Sequence, residues 1–378
     1  MDEKLISSFE YALETQNMEM FNFLLKDYGA FKKKDKEELL KVVALKSLNS
    51  TFVKRFLELG ADINYRDEDG NTLLHYAAAS CHPEVVQFLI EKGLSVDARN
   101  NSQATPLCVA AKETSSLKIV KILVEAGSDI NVRSNHGETL LITSAGLNPE
   151  TKISKYFISL GLSVDDVDED GYTPLLNAAL WQENTDVIDL LVEAGADIRA
   201  TAKNGDTMFH LASMNHSPYI ASYIESYFLV SETNNEGQSC MQYALLYAKN
   251  PYVLDVYLHK QRLENVMYAC MNHDPSILEC LIQSGYDVNA SDSHGMTAMM
   301  MAARHNTELF IIFMLLNHNA IYDCYDENGR NVLHYAASNS DSTIYDYMST
   351  NDKFKKLVNV KDEFGHLPEY YRSHPAEF

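Results

Sequence analysis

Apolar residues along this chain fall into short stretches with helical spacing, separated by polar turns, and the alternation itself repeats about every 33 or 34 residues. In one stretch, Val85, Val86, Phe88, Leu89 and Ile90 follow the 3.6-residue period of a helix with one buried face. Self-similarity at such a period predicts a stack of supersecondary units, each of which buries its apolar face against its neighbours.

A shorter apolar stretch precedes each of these helices and begins with a recurrent signature. It runs through 70–78, 171–179, 205–212, 295–303 and 329–337. In four of these five stretches a threonine stands where the helix would begin, and its hydroxyl can accept a hydrogen bond from a free backbone N–H. Thr105 and Thr173 are followed by proline, which loses nothing at the first helical position. The small pairs that follow, such as Ala110-Ala111, predict close approach between neighbouring first helices.

Glycines mark the end of each second helix. Gly60, Gly93, Gly127, Gly161 and Gly195 are 33 or 34 residues apart, and a glycine at this place predicts a left-handed residue that ends the helix.

Together these residues resemble the ankyrin repeat family over nearly the whole chain, in about eleven repeats. The resemblance implies a mainly α fold, an ankyrin-repeat solenoid of stacked helix-turn-helix units joined by hairpin-like loops. We expect an N-terminal capping repeat, regular repeats, a degenerate stretch that either bends the stack or forms a specialised site, further regular repeats that resume at Asn265, and a truncated C-terminal cap. The boundaries are 1–35, 36–205, 206–262, 263–364 and 365–378.

The net charge of the chain bears on which partners its surface can bind and not on the predicted fold. The formal net charge is −22, and both halves of the chain share the acidic excess. An acidic surface repels phosphates and anionic lipid, so we expect neither nucleic-acid nor membrane binding. Solubility and attraction of a basic protein partner are both consistent with it.

The six cysteines are scattered with no Cys-x-x-Cys pair, which favours free thiols in a reducing compartment over a zinc site. We expect no cofactor and a monomer. The first residues lack a basic and apolar signal, so we expect a cytoplasmic protein, with non-classical delivery into another cell left open.

Candidate chemistry is mostly explained by the repeat. The segment 166–171 resembles the start of a calcium loop, but Asn177 stands where the twelfth-position glutamate belongs, so we predict a structural turn. The equivalent histidines and tyrosines of the first helices are predicted to hold loops and fill the core; they are His75, His210 and His334, with Tyr76, Tyr243, Tyr268 and Tyr335. The lysines at 32–34 and 36 are predicted to lie in a loop.

The resemblance implies that a partner lies in the concave groove formed by hairpin tips and first helices. Trp181, the only tryptophan, is either an exposed binding residue or packed against the adjacent first helix. The candidate partner-binding residues are Trp181, Asp168, Glu169, Tyr172, Asp67, Glu68, Arg99, Lys112, Arg133, His136, Met214, Arg304, His305 and Tyr325.

Four functions remain open at this point. The first is a non-enzymatic scaffold or adaptor that binds a protein or peptide partner, and the second is an acidic inhibitor that neutralises a basic toxin or enzyme. The third is a host-directed effector. An enzyme, the fourth, would need a clustered polar site in the degenerate stretch, and we expect none.

Overall fold

The computed structural model describes residues 3–26, 31, 33–225, 233–254 and 266–378. Within these residues the regular structure is helical, and the chain forms two compact units, unit 1 (Met1–Met208) and unit 2 (Phe209–Phe378). The predicted mainly helical repeat fold is therefore confirmed.

Unit 1 consists of helix pairs in which a first helix is followed by a second helix. In chain order these are α1 (Glu3–Glu14) and α2 (Met18–Leu24), α3 (Lys33–Lys46) and α4 (Ser50–Glu58), α5 (Leu73–Ala79) and α6 (Pro83–Glu91), α7 (Pro106–Glu113) and α8 (Leu117–Glu125), α9 (Leu140–Leu147) and α10 (Thr151–Ser159), and α11 (Pro174–Trp181) and α12 (Asp186–Glu193).

Unit 2 has the same organisation, and the helix that leads into it begins at Met208. Its helices are α13 (Met208–Met214) and α14 (Pro218–Glu225), α15 (Cys240–Tyr247), a 3-10 turn (Ala269–Met271) followed by α16 (Pro275–Gln283), α17 (Ala298–His305) and α18 (Leu309–Asn317), α19 (Val332–Ser338) and α20 (Thr343–Thr350), and α21 (Pro368–Ser373) with a final 3-10 turn (Pro375–Glu377).

The first helices begin as the sequence predicts. The Thr173 hydroxyl accepts a hydrogen bond from the Leu176 N–H at 3.2 Å, and Pro174 occupies the first helical position. In α5 and α19 a histidine three residues after the cap completes a capping box, and in α15 Gln242 does the same.

The five glycines predicted to end second helices, at positions 60, 93, 127, 161 and 195, all lie in the left-handed region. Gly195, for example, follows α12 with φ of 91°. After α18 the left-handed residue is Asn319 instead. The hairpin-like loops contain isolated antiparallel bridges such as Arg66 with Thr72, and no longer strand is assigned within the described ranges.

The core of each unit lies between successive helix pairs. Ala110 and Ala111 of α7 have no exposed surface, and α7 packs against α5 and α9. The small side chains allow this close approach, as the sequence predicts.

Buried side-chain amides at the ends of first helices connect neighbouring repeats. Gln182, directly after α11, donates from Nε2 to the carbonyl oxygens of Ala145 (2.8 Å), Gly146 (3.2 Å) and Asn148 (3.0 Å) in the previous repeat. Asn148 makes equivalent bonds to Ala111 and Thr114 at 3.0 Å. These amides satisfy carbonyls that a helix C-terminus otherwise leaves without a partner.

One local prediction is wrong. Lys33, Lys34 and Lys36 lie in α3 rather than in a loop, because the sequence from Lys33 to Lys46 contains no glycine or proline and buries Leu39 and Val43. Lys32 lies outside the described residues.

The repeat predicted to resume at Asn265 differs from the others in its first helix. Its first helix shortens to the 3-10 turn at Ala269–Met271, and Asn265 lies outside the described residues. No Gly-x-Thr signature precedes Val266, so the threonine cap that starts other first helices is missing there. Parts of the predicted degenerate stretch, 226–232 and 255–262, also lie outside the described residues.

Candidate partner-binding surface

A polar side chain at the first position organises four hairpin tips of unit 1, and it belongs to Asp67, Asn100, Ser134 or Asp168. In the tip at 67–70, Asp67 Oδ1 accepts a hydrogen bond from the Asn71 N–H at 2.7 Å, and the Tyr76 hydroxyl donates to Oδ2. Burial would raise the pKa of Asp67, but the hydrogen bonds from Tyr76 and Asn71 outweigh it and hold the pKa below its ordinary value. Asp67 is therefore half-buried scaffold, whereas the next residue, Glu68, is exposed.

The calcium-like segment is another such turn, as predicted. Asp168 Oδ1 accepts hydrogen bonds from the N–H groups of Asp170 (2.9 Å) and Tyr172 (2.8 Å), and Gly171 closes the turn with φ of 83°. Within the described residues no group of three or more histidine, cysteine, aspartate or glutamate side chains is placed to hold a metal ion.

Arginines join successive tips in unit 1. Arg66 donates to the carbonyl oxygens of Gly70 (2.8 Å) and Arg99 (2.9 Å), while Arg133 donates to those of Gly137 (2.6 Å) and Val167 (2.8 Å). Arg133 also pairs with Asp166 at 3.1 Å. Arg99 bonds within its own tip, to the Gln103 carbonyl at 3.3 Å. Two of the candidate residues, Arg99 and Arg133, thus have structural contacts although both are exposed.

A groove of about 360 Å³ lies between two neighbouring repeats of unit 1. It brings together the candidates Lys112 and His136, and Leu147 at the end of α9 adds an apolar side chain that is 39% exposed. Lys112 pairs with its neighbour Glu113 at 3.2 Å on the same rim. The groove therefore offers an apolar floor with charged groups at its edge, which is the composition of many partner sites.

Trp181 is exposed, which excludes the alternative in which it is shielded against the adjacent first helix, and its role in binding stays a prediction. It is the last residue of α11 and 54% of its side chain and backbone surface is accessible, while its neighbour Gln182 is fixed by hydrogen bonds to the previous repeat. Leu147 occupies the equivalent position one repeat earlier, on a helix that packs against α11. Trp181 and Leu147 are thus exposed apolar residues at corresponding positions of adjacent repeats, and we call the two the Trp181 surface.

Three further candidates of unit 1 lie in hairpin tips. Glu169 is exposed, and its N–H donates to the His136 carbonyl oxygen at 2.9 Å, so these two candidates are adjacent. Asp168 and Tyr172 are half-buried. Burial raises the pKa of Tyr172, and the nearby carboxylates of Asp206, Asp168 and Asp170 raise it further.

The remaining candidates belong to unit 2. Met214 at the end of α13 is half-buried, and Tyr325 in a hairpin tip is 48% exposed. At the end of α17, His305 is exposed, whereas Arg304 is half-buried with its guanidinium 4.5 Å from the centre of the Phe378 ring. The structure therefore divides the predicted set between the two units.

The first-helix histidines have the predicted loop-holding role. His75 is 2% exposed; its Nδ1 accepts from the Thr72 N–H at 3.1 Å, and its Nε2 lies 3.1 Å from the Ala104 carbonyl oxygen of the next loop. His334 repeats both contacts with Asn331 and His366. Of the equivalent tyrosines, Tyr335 is buried as predicted, whereas Tyr76 is only half-buried.

Sequence reasoning missed Leu147 and Phe378. Leu147 lies 34 residues before Trp181, so the repeat register contained a signal for it. Nothing in the register indicates the contacts of Phe378 with Arg304 and Arg330.

No helix among the described residues has both the length and the apolar character needed to cross a membrane.

Comparison with known families gives matches over most of the chain. The family model for ankyrin repeats matches residues 39–134, 107–202 and 266–361. Ankyrin repeat protein OPG189 of Variola virus is 29% identical over 94 residues, which is 25% of this chain and 16% of the viral protein. Human Protein fem-1 homolog C is 45% identical over 49 residues, or 13% of this chain and 8% of that protein.

Putative ankyrin repeat protein FPV233 of Fowlpox virus is 40% identical over 58 residues, or 15% of this chain and 11% of that protein. The chain therefore matches only a small part of the length of these curated relatives. Among solved structures, the human ASB11 ankyrin repeat domain aligns with 59% of this chain and 98% of that domain, at 21% identity and a TM-score of 0.49.

Proposed function

This chain belongs to the ankyrin repeat family, whose repeats are protein–protein interaction modules and generally non-enzymatic scaffolds, and we propose that it is an adaptor that captures a basic protein or peptide in the concave groove of unit 1. The observation that carries the proposal is the exposure of Trp181 beside Leu147. Large aromatic side chains held on a rigid helix end are frequent binding hot spots, because they bury much surface for little lost conformational freedom.

Exposed acidic side chains in the hairpin tips of unit 1 support a basic partner. Glu169 and Glu68 are exposed in hairpin tips, and their side chains are not among the hydrogen bonds that build those tips. In a chain of net charge −22, such tips attract a lysine- or arginine-bearing partner over a long range and raise the association rate. All six cysteines are free thiols, which supports a place for the adaptor in the reducing cytoplasm.

The first test of the adaptor proposal is affinity capture from the native cell followed by mass spectrometry. We compare the wild-type chain with Trp181→Ala and with Phe23→Ala, a matched control in which another exposed aromatic residue (73% exposed, in α2) is removed. We expect Trp181→Ala to lose a partner that Phe23→Ala retains. A hot-spot loss of about 2 kcal/mol corresponds to a roughly thirty-fold weaker Kd. Retention of all partners by Trp181→Ala would remove this surface from the proposal.

The second test addresses the charge of the partner. With the captured partner purified, the association rate constant is measured between low and high salt for wild type and for Glu68→Gln with Glu169→Gln. These substitutions keep the shape of the tips, whereas replacing Asp168 would also remove the hydrogen bonds that build its turn. We expect salt to slow the wild type more than the double variant, because screening weakens steering by exposed charges. A rate that does not change with salt would contradict a basic partner.

A further inference from the structure

The aromatic ring of Phe378 lies in a pocket of unit 2 that two arginines and two tyrosines form. The ring centre is 4.5 Å from the Arg304 guanidinium carbon and 4.3 Å from that of Arg330. The rings of Tyr335 and Tyr371 meet it edge-on, with centroid distances of 4.7 and 5.1 Å. We call the four residues Arg304, Arg330, Tyr335 and Tyr371 the arginine pocket.

The repeat fold supplies the two arginines of the pocket from positions of the kind predicted for partner contacts, and the two tyrosines from buried positions of first helices. Arg304 is at the end of the first helix α17, and Arg330 follows the hairpin tip at 326–329. Tyr335 and Tyr371 belong to the first helices α19 and α21, and their hydroxyls are fixed by hydrogen bonds to Asp326 (2.8 Å) and Asp362 (2.6 Å). The pocket is therefore held in place by the scaffold.

The polar groups of the arginine pocket are only partly satisfied. Arg330 donates from Nη1 to the Phe378 carbonyl oxygen at 3.1 Å, but its buried Nε has no hydrogen-bond partner. Burial lowers the pKa of the Arg304 guanidinium, and the nearby positive charge of Arg330 acts in the same direction. Two such guanidiniums favour an occupant with an aromatic face and oxygen acceptors.

The residue before Phe378 also has a side-chain contact in unit 2. Glu377 accepts a hydrogen bond from the Tyr370 hydroxyl, and the segment reaches the pocket through the 3-10 turn at Pro375–Glu377. Glu377 thus contacts Tyr370 of α21, and Phe378 contacts the arginine pocket.

From these contacts we propose that the arginine pocket is a recognition site for a peptide that carries a glutamate followed by a phenylalanine, and that residues 374–378 are an internal occupant that competes with such a peptide. The site is separate from the proposed function: it belongs to unit 2, it takes an acidic and aromatic rather than a basic ligand, and its test needs no partner of the Trp181 surface.

The test uses the full chain and one probe, the amidated peptide His-Pro-Ala-Glu-Phe with a fluorophore at its N-terminus. Amidation leaves the phenylalanine carbonyl oxygen in place and removes any contribution from a terminal carboxylate. Fluorescence anisotropy gives its Kd for the wild type and for Phe378→Ala, in which the internal ring is removed. We expect Phe378→Ala to bind the peptide at least ten-fold more tightly than the wild type does.

Two controls make the result specific. A peptide in which alanine replaces phenylalanine should lose at least ten-fold in affinity for Phe378→Ala. Adding Arg304→Gln to Phe378→Ala should weaken binding of the parent peptide, whereas adding Arg372→Gln should not, because Arg372 pairs with Asp346 outside the pocket. Thermal melting identifies any variant that fails to fold, and the comparison of the two peptides does not depend on the arginine variants.

Equal affinity of wild type and Phe378→Ala for the parent peptide, including no binding by either, would overturn the proposal. So would equal affinity of Phe378→Ala for the two peptides.

Discussion

The hydroxyl of Tyr335 donates a 2.8 Å hydrogen bond to the carboxylate of Asp326, nine residues earlier, and so ties a first helix to the hairpin tip that precedes it. Tyr371 and Asp362 repeat the contact at 2.6 Å, and Tyr76 and Asp67 repeat it in unit 1. Burial raises the pKa of Tyr335, and the hydrogen bond and charge of Asp326 raise it further.

Replacing Tyr335 with phenylalanine should lower the free energy of unfolding by about 1–2 kcal/mol, because Asp326 loses its donor. The substitution should also change how the free energy of unfolding falls at alkaline pH. The folded-state pKa of Tyr335 is raised, so its contribution is fully present below the ordinary tyrosine pKa of about 10 and is lost as pH rises through the folded-state value. Urea unfolding from pH 8 to 11 should therefore show a shallower loss of stability for Tyr335→Phe than for wild type.

Tyr325→Phe is the matched control for that experiment, because Tyr325 is 48% exposed in the same unit. Its free energy of unfolding should depend on pH in the same way as that of the wild type. If the Tyr335→Phe curve is also parallel to wild type across the alkaline range, the tyrosine–aspartate contact contributes no pH-dependent stability.

The buried histidines of the capping boxes predict the behaviour in acid. Burial lowers the pKa of His334, although the His366 carbonyl opposes this shift. Its contribution to stability is therefore present above the ordinary histidine pKa of about 6.5 and is lost as pH falls through the lower folded-state value. Replacing His334 with glutamine should remove part of this acid sensitivity between pH 7 and 5, measured by urea unfolding.

Glutamine is the informative replacement because the chain already uses it at the same place. Gln242 completes the capping box of Ser239 by accepting from the Ser239 N–H at 2.9 Å. His334→Gln should thus retain more stability at pH 7 than His334→Ala, which removes the cap acceptor and costs about 1 kcal/mol or more. Identical stabilities for the two variants would argue against the capping role.

Glycines with the same backbone conformation should differ in how well they accept alanine. Gly171 and Gly195 both have positive φ, 83° and 91°. A Cβ on Gly195 meets nothing within 4 Å, whereas a Cβ on Gly171 would lie 2.8 Å from the Lys203 backbone nitrogen, which donates to the Asp170 carbonyl oxygen. Gly195→Ala should cost about 1–2 kcal/mol for the left-handed conformation alone, and Gly171→Ala should cost more.

Thermal melting of the two glycine variants against wild type measures this difference. A lower melting temperature for Gly171→Ala than for Gly195→Ala is the expected order. The reverse order would contradict the close approach of Gly171 to the Lys203 backbone in the next hairpin tip.

How far the sequence predicts this molecule depends on whether a contact repeats. Gly195 and Thr173 are set by local backbone geometry, which recurs every 33 or 34 residues, so their roles follow from the register. The exposure of Trp181 could not be predicted from the register, because a tryptophan at a helix end can either contact a partner or pack against a neighbouring helix. The position of Phe378 against Arg330 could not be predicted at all, since it joins residues 48 positions apart that share no repeat position.

The amide of Gln182 was missed by sequence reasoning for a related reason, and it gives the last prediction. A glutamine after a first helix looks like a surface residue, yet it is 3% exposed and donates to three carbonyl oxygens of the previous repeat. Gln182→Ala should lower the free energy of unfolding by about 1–3 kcal/mol, because those buried acceptors lose their donor.

Gln182→Glu should be worse than Gln182→Ala at pH 7, because a carboxylate would replace the donor with negative charge against the same oxygens. Gln87→Ala on the exposed face of α6, where Gln87 donates to Glu91 at 3.2 Å, is the control and should cost well under 1 kcal/mol. Urea unfolding of the three variants gives the ranking. If Gln182→Ala matches Gln87→Ala, the amide does not couple the repeats, and the packing of α11 on α9 alone must hold Trp181 in place.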